Sequence, residues 1–319
     1  MQIREDGMKQ QSFEFPSATG VCTISAEAWI PDGEPEAVLV IHHGMAEHRE
    51  RYGEFVRFLC NRGVAVYMHD MASHGKSRKP GEPAGWFGEK DGWRKLVEDY
   101  RTLVLRAAAE HPGKKLIVMG HSMGSFICRV YTAEHPEDGF SGAVFMGTGG
   151  SNPAAKAGIL MAGAIAAVKG KKAKSALMNK MAFGTYNQRF EGRTPFDWLT
   201  RETEIVDRYI ADPYCGFLFT VQGMHDLVSV NALVNQPDWA EKVAKKLPIL
   251  LTSGEEDPVG GYGQGVRQVA EMLKKTGHDA VTLQLYPGCR HEILNETNRE
   301  DVMRDLLDWL RKVQAGAGR

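Results

Sequence analysis

Short apolar runs alternate with amphipathic stretches along most of the chain. Continuously apolar runs are typical of strands buried on both faces of a parallel sheet, and apolar residues repeated every three or four positions are typical of helices covering it. The pattern predicts strands over 11–15, 21–30, 37–41, 64–68, 116–119, 140–146, 248–252 and 281–286. It predicts helices over 52–60, 93–108, 126–133, 266–273 and 302–313. Buried strands that alternate with helices indicate a doubly wound, mostly parallel sheet.

This alternation stops between residues 151 and 223, where no parallel strand is predicted. An alanine-rich apolar run over 158–168 is followed by lysines and by helical patterns around 197–199 and over 204–210. The apolar run is too short to span a bilayer, which needs roughly 20 residues. We therefore expect a helical cap at 151–223, inserted between core segments 1–150 and 224–319. An ordinary pair of surface helices is the alternative.

A sharp turn with a serine at its apex follows the predicted strand 116–119. Its sequence is Gly120-His121-Ser122-Met123-Gly124, and a predicted helix comes directly after it. Strand, G-x-S-x-G and helix together are the pattern of a nucleophile elbow, in which glycines let strand and helix approach closely. The pattern predicts Ser122 as a nucleophile at a helix N-terminus. The alternative is a tight turn without chemistry.

A serine nucleophile of this type needs a histidine base later in the chain. His278 follows a predicted helix and is interpreted as a helix C-terminal cation or a surface residue. His225 lies in a helical stretch beside the cap, where packing or a cap contact is the simpler role. His291 follows the last predicted strand, at the edge of the sheet where Ser122 also lies. The sequence therefore predicts His291 as the general base.

The acid that orients this base must lie between the two, at the end of a strand. Glu255, Glu256 and Asp257 follow the predicted strand 248–252. Asp257 precedes a proline, which restricts the backbone of Asp257 to extended conformations and so fixes its direction. Asp257 is the predicted acid, and Glu256 is the second choice. A solvated acidic loop without a role is the alternative.

Two backbone N–H groups must stabilise the oxyanion of an acyl-transfer reaction. The N–H of Met123, directly after the nucleophile, is one predicted donor, and the N–H of Met45, in the loop after strand 37–41, is the other. His43 and Gly44 precede Met45, and Gly44 permits a close approach. A metal site built from His42, His43 and His48 is a weak alternative, because no carboxylate–histidine pattern accompanies them.

The amino-acid composition, net charge and cysteine spacing narrow the classes of function that we expect. The chain has 319 residues, is 43% hydrophobic and 25% charged, and carries a formal net charge of −1 without a long basic stripe. Nucleic acid is therefore an unexpected partner. The first residues lack the apolar run of a secretory signal, and five scattered cysteines lack C-x-x-C spacing, so we expect free thiols, no zinc site and a cytoplasmic protein.

Several further motifs accompany the elbow. They are His43-Gly-Met-Ala-Glu-His48 with Arg51-Tyr52, Asp70 with His74-Gly-Lys-Ser77, Asp212-Pro-Tyr-Cys-Gly-Phe217, Gly254-Glu-Glu-Asp-Pro-Val259 and Arg290-His-Glu-Ile-Leu-Asn-Glu296. Through them the chain resembles, over nearly its whole length, the monoacylglycerol lipase and lysophospholipase group of capped α/β-hydrolases. The resemblance implies the α/β-hydrolase fold, a triad of Ser122, Asp257 and His291, and an oxyanion hole of Met45 and Met123. These are also the residues predicted from the chain itself.

One departure from the group concerns the loop after strand 64–68. Such proteins usually have Gly-His-Gly where this chain has Ser73-His74-Gly75. We expect this loop to shape the floor of the site, so the substitution affects its fine geometry.

The predicted reaction is ester hydrolysis through an acyl-serine intermediate, without a metal or organic cofactor. The lead substrate is a lipid-like acyl ester, a monoacylglycerol or lysophospholipid, followed by short esters or thioesters. The lysines of the cap contact a head group or lipid surface, or form a solvated face; both interpretations stay open. An acyltransferase is an alternative, as is a non-catalytic binding protein, although the intact Ser-Asp-His set argues against the latter. No obligate protein partner is indicated.

Overall fold

A single twisted sheet forms the centre of the molecule. The computed structural model describes residues 2–4 and 8–316. Its strands are β1 (Gln2–Arg4), β2 (Met8–Pro16), β3 (Thr23–Pro31), β4 (Ala37–His42), β5 (Val64–His69), β6 (Lys115–His121), β7 (Gly142–Met146), β8 (Ile249–Gly254) and β9 (Val281–Tyr286). They lie in the order β1-β2-β3-β5-β4-β6-β7-β8-β9. Pairs from β5 to β9 are parallel and pairs from β1 to β5 antiparallel, which confirms the predicted mostly parallel sheet.

Helices cover both faces of the sheet. They are α1 (Gly53–Cys60), α2 (Gly92–Glu110), α3 (Met123–Glu134), α4 (Ala155–Lys169), α5 (Ala176–Phe183), α6 (Thr203–Ala211), α7 (Val221–Val234), α8 (Pro237–Lys242), α9 (Gln264–Lys275) and α10 (Arg299–Gln314). One apolar core lies between the sheet and α2, α3, α7, α8 and α9, and a second lies under α1 and α10. None of the helices in 2–4 and 8–316 combines the length and apolar character needed to cross a bilayer.

The chain reverses its direction of winding at β4. It passes from β4 to β5 on one side and then crosses to β6 on the other, so β4 lies between them. Ligands of such sheets bind at this reversal, beyond the carboxyl ends of the strands. The register pairs His42, the last residue of β4, with Gly120 of β6. The loop after β4 and the turn after β6 therefore begin side by side.

Residues 151–223 contain α4, α5 and α6, and α4 packs along α7. Because α7 starts at Val221, the predicted boundary at 223/224 falls inside its first turn. The division into core and cap stays a prediction.

The helical pattern expected around 197–199 is wrong. The segment forms a turn, in which the Asp197 carboxylate accepts hydrogen bonds from the Thr194 N–H at 3.0 Å and from the Thr194 hydroxyl at 2.5 Å. Aspartate and threonine compete with helical hydrogen bonds in this way, because their short side chains reach nearby backbone.

Candidate active site

Ser122 lies at the sharp turn between β6 and α3. Its backbone has φ +53° and ψ −123°, an uncommon conformation for a residue with a side chain. The flanking glycines are required sterically: a Cβ at Gly120 would lie 2.2 Å from the Gly124 carbonyl oxygen, and one at Gly124 would lie 2.3 Å from that of His42. The turn therefore has the geometry of a nucleophile elbow.

His291 and Asp257 meet directly. His291 lies in the loop after β9, and its Nδ1 is 3.0 Å from Asp257 Oδ1. The Asp257 carboxylate is fully buried and also accepts hydrogen bonds from the Ser253 hydroxyl and the Val259 N–H. When Nδ1–H donates to Asp257, Nε2 of the neutral ring is left as an acceptor. Glu256, the second choice as acid, is exposed to solvent.

A cavity of about 520 Å³ lies at this edge of the sheet, with part of its lining from residues between 152 and 218. Four of the five residues predicted for the triad and the oxyanion hole line it, namely Met45, Ser122, Met123 and His291, and so does Gly44. Asp257 lies behind His291, out of the cavity. The wall contributed by segments 179–199 and 209–218 is largely aromatic, with Phe183, Tyr186, Phe196, Trp198, Tyr209 and Phe217. The Trp198 ring lies 5.2 Å from that of His291 and forms part of the wall over it.

The backbone N–H groups of Met45 and Met123 are available to a ligand. Neither donates a hydrogen bond to another of the described residues. His43 orients the first of them: its Nδ1 is 2.8 Å from the Gly44 carbonyl oxygen. Because that oxygen and the Met45 N–H belong to one trans peptide, they point in opposite directions. Fixing the oxygen therefore fixes the direction of the N–H.

His43 and His74 support this loop as neutral rings. Nε2 of His43 accepts from the Met71 N–H at 2.8 Å, and Nε2 of His74 accepts from the Ala46 N–H at 3.2 Å. Burial lowers the pKa of both side chains, which keeps these nitrogens free to accept. His74 is buried and does not line the cavity. Its loop was expected to form the floor of the site, and His74 instead supports the loop after β4 from behind.

Ser73, the departure from the related group, has a φ of +62°. Glycine adopts this left-handed conformation without strain, whereas serine does not. The Ser73 hydroxyl donates to the Trp86 carbonyl oxygen at 2.6 Å, a contact that a glycine lacks.

Comparison with known proteins identifies the family to which the chain belongs. A family model described as serine aminopeptidase S33 matches residues 33–298. A monoacylglycerol lipase of Mycolicibacterium smegmatis is 31% identical over 301 residues, covering 92% of this chain and 95% of the relative. The chain belongs to the S33 family of hydrolases.

Other proteins similar to this hydrolase are also named as ester hydrolases. The human monoglyceride lipase is 27% identical and covers 91% of this chain and 87% of its own length. The crystal structure of a thermostable carboxyl esterase from Bacillus coagulans, in complex with glycerol, superposes with a TM-score of 0.90 at 29% identity, covering 96% of this chain and 99% of that one. The predictions of an α/β-hydrolase fold and of a serine carboxylic ester hydrolase are confirmed.

A buried ionic network at the cavity wall was not foreseen from the sequence, and its members Glu47, His121 and Glu292 line the cavity. Glu47 accepts from the Gly44 N–H at 2.7 Å and the Tyr52 hydroxyl at 2.9 Å, and lies 3.2 Å from His121 Nδ1. Burial opposes the charged form of His121, but the hydrogen bond and charge of Glu47 outweigh it and raise the His121 pKa. Arg51 joins Glu47 to Glu292, which follows His291. The only sequence signal was the presence of Glu47 and Arg51 in one motif.

The two other histidines considered as the base, His278 and His225, do not line the cavity that contains Ser122. The prediction that His278 is a cation or surface residue is wrong: its ring is buried, its nitrogens lie near the carbonyl oxygens of Leu273 and Val243, and burial lowers its pKa. His225 lies on α7, as predicted, with its Nδ1 3.5 Å from Gln222 and Ser229 side chains.

The alternative metal site from His42, His43 and His48 does not form a cluster. The three rings are engaged separately, and His48 Nε2 lies 2.8 Å from Asp212 Oδ2. Across the described ranges, a group of three or more potential ligand atoms within 4.8 Å of one another occurs only at His48, Asp212 and Cys215. The charge of Arg51 acts on both Asp212 and Cys215, so these residues suit a cation poorly. All five cysteines are free thiols, as predicted.

Proposed function

We propose that this hydrolase cleaves monoacylglycerols, or closely similar monoacyl esters such as lysophospholipids, through an acyl-serine intermediate. Ser122 is the nucleophile, His291 the general base and Asp257 the acid that orients it. The N–H groups of Met45 and Met123 form the oxyanion hole. The observation that carries the proposal is the cavity of about 520 Å³ that holds Ser122 and His291 under an aromatic wall.

The proposed reaction has two stages, acylation of Ser122 and hydrolysis of the acyl-enzyme. His291 Nε2 takes the proton of the Ser122 hydroxyl while Oγ bonds to the ester carbonyl carbon, whose oxygen becomes an anion held by the two N–H groups. The bond to the alcohol oxygen then breaks, and His291 returns its proton to that oxygen. Water, activated by His291, adds to the acyl carbon, the Ser122 ester bond breaks, and the serine recovers its proton. Asp257 stabilises the imidazolium at both stages.

The cavity suits an amphiphilic ester. Its aromatic and aliphatic wall provides the surface on which an acyl chain is buried. Polar residues line the same space, among them Asn152, Asn179, Asn187 and Asn231. The lining therefore matches a substrate with one long apolar arm and one hydroxyl-bearing or otherwise polar end. Relatives named as monoacylglycerol and monoglyceride lipases support the same substrate class.

A panel of esters tests this proposal. It holds p-nitrophenyl esters from acetate to palmitate, monoacylglycerols and lysophosphatidylcholine, each measured with and without a serine-directed fluorophosphonate. We expect turnover that the fluorophosphonate abolishes, with its adduct mapped to Ser122 by peptide mass, and the highest kcat/KM on a monoacylglycerol. Absence of labelling together with absence of turnover would reject a serine hydrolase mechanism. Transfer of the acyl group to added glycerol would instead indicate an acyltransferase.

We further propose that the cap contacts lipid surfaces transiently through apolar side chains. The exposed fractions on α4 and α5 are 75% for Leu160, 84% for Val168, 60% for Leu177 and 62% for Met181. The cap lysines contribute less, because Lys171 and Lys172 lie within salt-bridge distance of Glu89 and Glu82. Burial of an exposed leucine or valine in an apolar phase yields about 1.5–3 kcal/mol.

Charged residues at two of these positions are expected to weaken this contact. The double variant Leu160→Asp/Val168→Asp should bind phosphatidylcholine vesicles at least about tenfold more weakly than wild type. Its hydrolysis of soluble p-nitrophenyl butyrate should be unchanged. Vesicle co-sedimentation measures the binding, and Leu105→Asp, on core helix α2 with 43% exposure, is the matched control. Equal vesicle binding by the double variant and wild type would contradict this role of the cap.

A further inference from the structure

The segment around α6 holds the backbone of the loop after β4 at Ala46, beside the contact between His48 and Asp212. The carbonyl oxygen of Ala46 accepts a hydrogen bond from the Tyr209 hydroxyl at 3.0 Å and another from the Gly216 N–H, also at 3.0 Å. Its N–H donates to His74 Nε2. Ala46 and Tyr209 are both buried. Both backbone polar groups of this one residue are therefore engaged, two of the three bonds coming from segment 209–216.

Ala46 has an unfavourable backbone conformation. Its φ is +52°, in the left-handed region that favours glycine and disfavours a residue with a Cβ. Such a conformation persists only where surrounding contacts determine it. Met45, the proposed oxyanion donor, is the residue directly before Ala46. The peptide that aims the Met45 N–H is therefore adjacent to a strained residue that external contacts hold.

We propose that Tyr209 is a positioning residue for ester hydrolysis. By holding the Ala46 carbonyl oxygen, its hydroxyl maintains the left-handed backbone that keeps the Met45 N–H aimed at the oxyanion. The inference rests on the proposed function, since it acts through the proposed oxyanion hole. It also links segment 209–216 to catalysis: the hole is fully formed only while this segment is docked on the loop.

The surroundings of Tyr209 give its hydroxyl a defined direction. The ring lies 5.1 Å from the Phe196 ring, and the Arg51 guanidinium lies 4.8 Å from the ring centre. Arg51 is itself held by two hydrogen bonds of 2.6 Å to Glu292. These contacts involve the ring and not the hydroxyl. The variant Tyr209→Phe therefore keeps the packing and removes only the bond to Ala46.

Steady-state kinetics on soluble p-nitrophenyl butyrate test the proposal. Tyr209→Phe should lower kcat about tenfold, less than the loss of a whole oxyanion donor, and leave KM nearly unchanged. The matched control is Tyr214→Phe, which removes a hydroxyl from the same segment at a side chain that is 42% exposed. The control should have wild-type kcat. Thermal unfolding of all variants verifies that each is folded at the assay temperature.

Inhibitor binding distinguishes positioning from a structural role. A trifluoromethyl ketone forms an oxyanion on Ser122, so its Ki should rise in Tyr209→Phe by the same factor by which kcat falls. The Ki of a 1-O-alkylglycerol ether, which forms no oxyanion, should not change. Equal increases in both Ki values would overturn the proposal, because they would indicate a general distortion of the cavity.

A second substitution tests the strain directly. Glycine adopts a φ of +52° without strain, so Ala46→Gly in the Tyr209→Phe background should restore most of the lost kcat. No recovery, or a wild-type kcat in Tyr209→Phe alone, would overturn the inference while leaving the ester hydrolase intact. Absence of Ser122-dependent turnover in the wild type would reject the proposed function itself, so the two failures are distinguishable.

Discussion

The substitution Ser122→Ala is expected to lower kcat about 10⁶-fold on every ester that the hydrolase turns over. The variant keeps the cavity and both proposed oxyanion donors, but it has no side-chain oxygen to form the acyl intermediate. Substrate binding depends on the cavity wall, so KM or the Kd of a substrate ether should change little. Single-turnover and steady-state assays, with the variant purified separately from wild type to prevent contamination, measure the loss. A residual rate within about 100-fold of wild type would contradict the assignment of Ser122 as the nucleophile.

The same assay decides between the two candidate acids. Asp257→Asn keeps the shape of the side chain but stabilises the wrong tautomer of His291, and a loss of about 10⁴-fold in kcat is expected. Glu256→Gln is the matched control, because Glu256 is exposed and one residue away. It should retain wild-type kcat. A large loss in Glu256→Gln with little loss in Asp257→Asn would reverse the assignment.

Below about pH 6 the free energy of unfolding is expected to fall steeply as the pH is lowered. Burial lowers the pKa of four histidines around the loop after β4, that of His42 to about 3. The unfolded chain protonates each near its ordinary pKa of about 6.5, whereas the folded protein does not. Their stabilisation is thus present above the unfolded pKa and is lost as the pH falls toward the folded pKa. The four are His42, His43, His69 and His74.

The size of the effect follows from the number of protons. Each proton bound only by the unfolded chain lowers the free energy of unfolding by about 1.4 kcal/mol for each unit by which the pH falls. The four histidines together therefore lower it by at most about 5 kcal/mol per pH unit. Asp99, whose pKa burial raises to about 6, and Asp226, whose pKa burial also raises, oppose this with at most about 3 kcal/mol per unit. A net fall of about 2–3 kcal/mol per pH unit is therefore expected from these six groups. Urea unfolding from about pH 7.5 to about pH 5 measures it.

His69 provides the control for this prediction. Neither ring nitrogen of His69 has a hydrogen-bond partner in the described part of the chain, and the ring packs near Phe15 and Tyr100. His69→Phe should keep this packing, remove one titrating group and reduce the slope by about 1.4 kcal/mol per pH unit. The same slope in the variant and wild type would show that this histidine is protonated equally in both states.

Much of the site was predictable because it depends on short patterns. The glycine before Ser122 is required by a contact within the elbow, since a Cβ at Gly120 would meet the Gly124 carbonyl oxygen, whereas Gly124 is required by the close approach of His42 at the end of β4. Asp257 and His291 follow strands whose carboxyl ends share an edge with β6, so their proximity follows from a parallel sheet. The errors had local causes too: Asp197 closes a turn in place of a helix, and His278 packs its ring inward after α9.

The sequence by itself determined the order of buried strands, the elbow and the loops that carry the proposed triad, because hydrophobic periodicity and glycine sterics act over a few residues. Only the tertiary structure decided which side chains hold those loops. Glu47 reaches His121 across 74 positions, Tyr209 reaches Ala46 across 163, and Arg51 reaches Glu292 across 241. Such pairings depend on how separate loops pack against one another, and no periodic signal in a single chain records them.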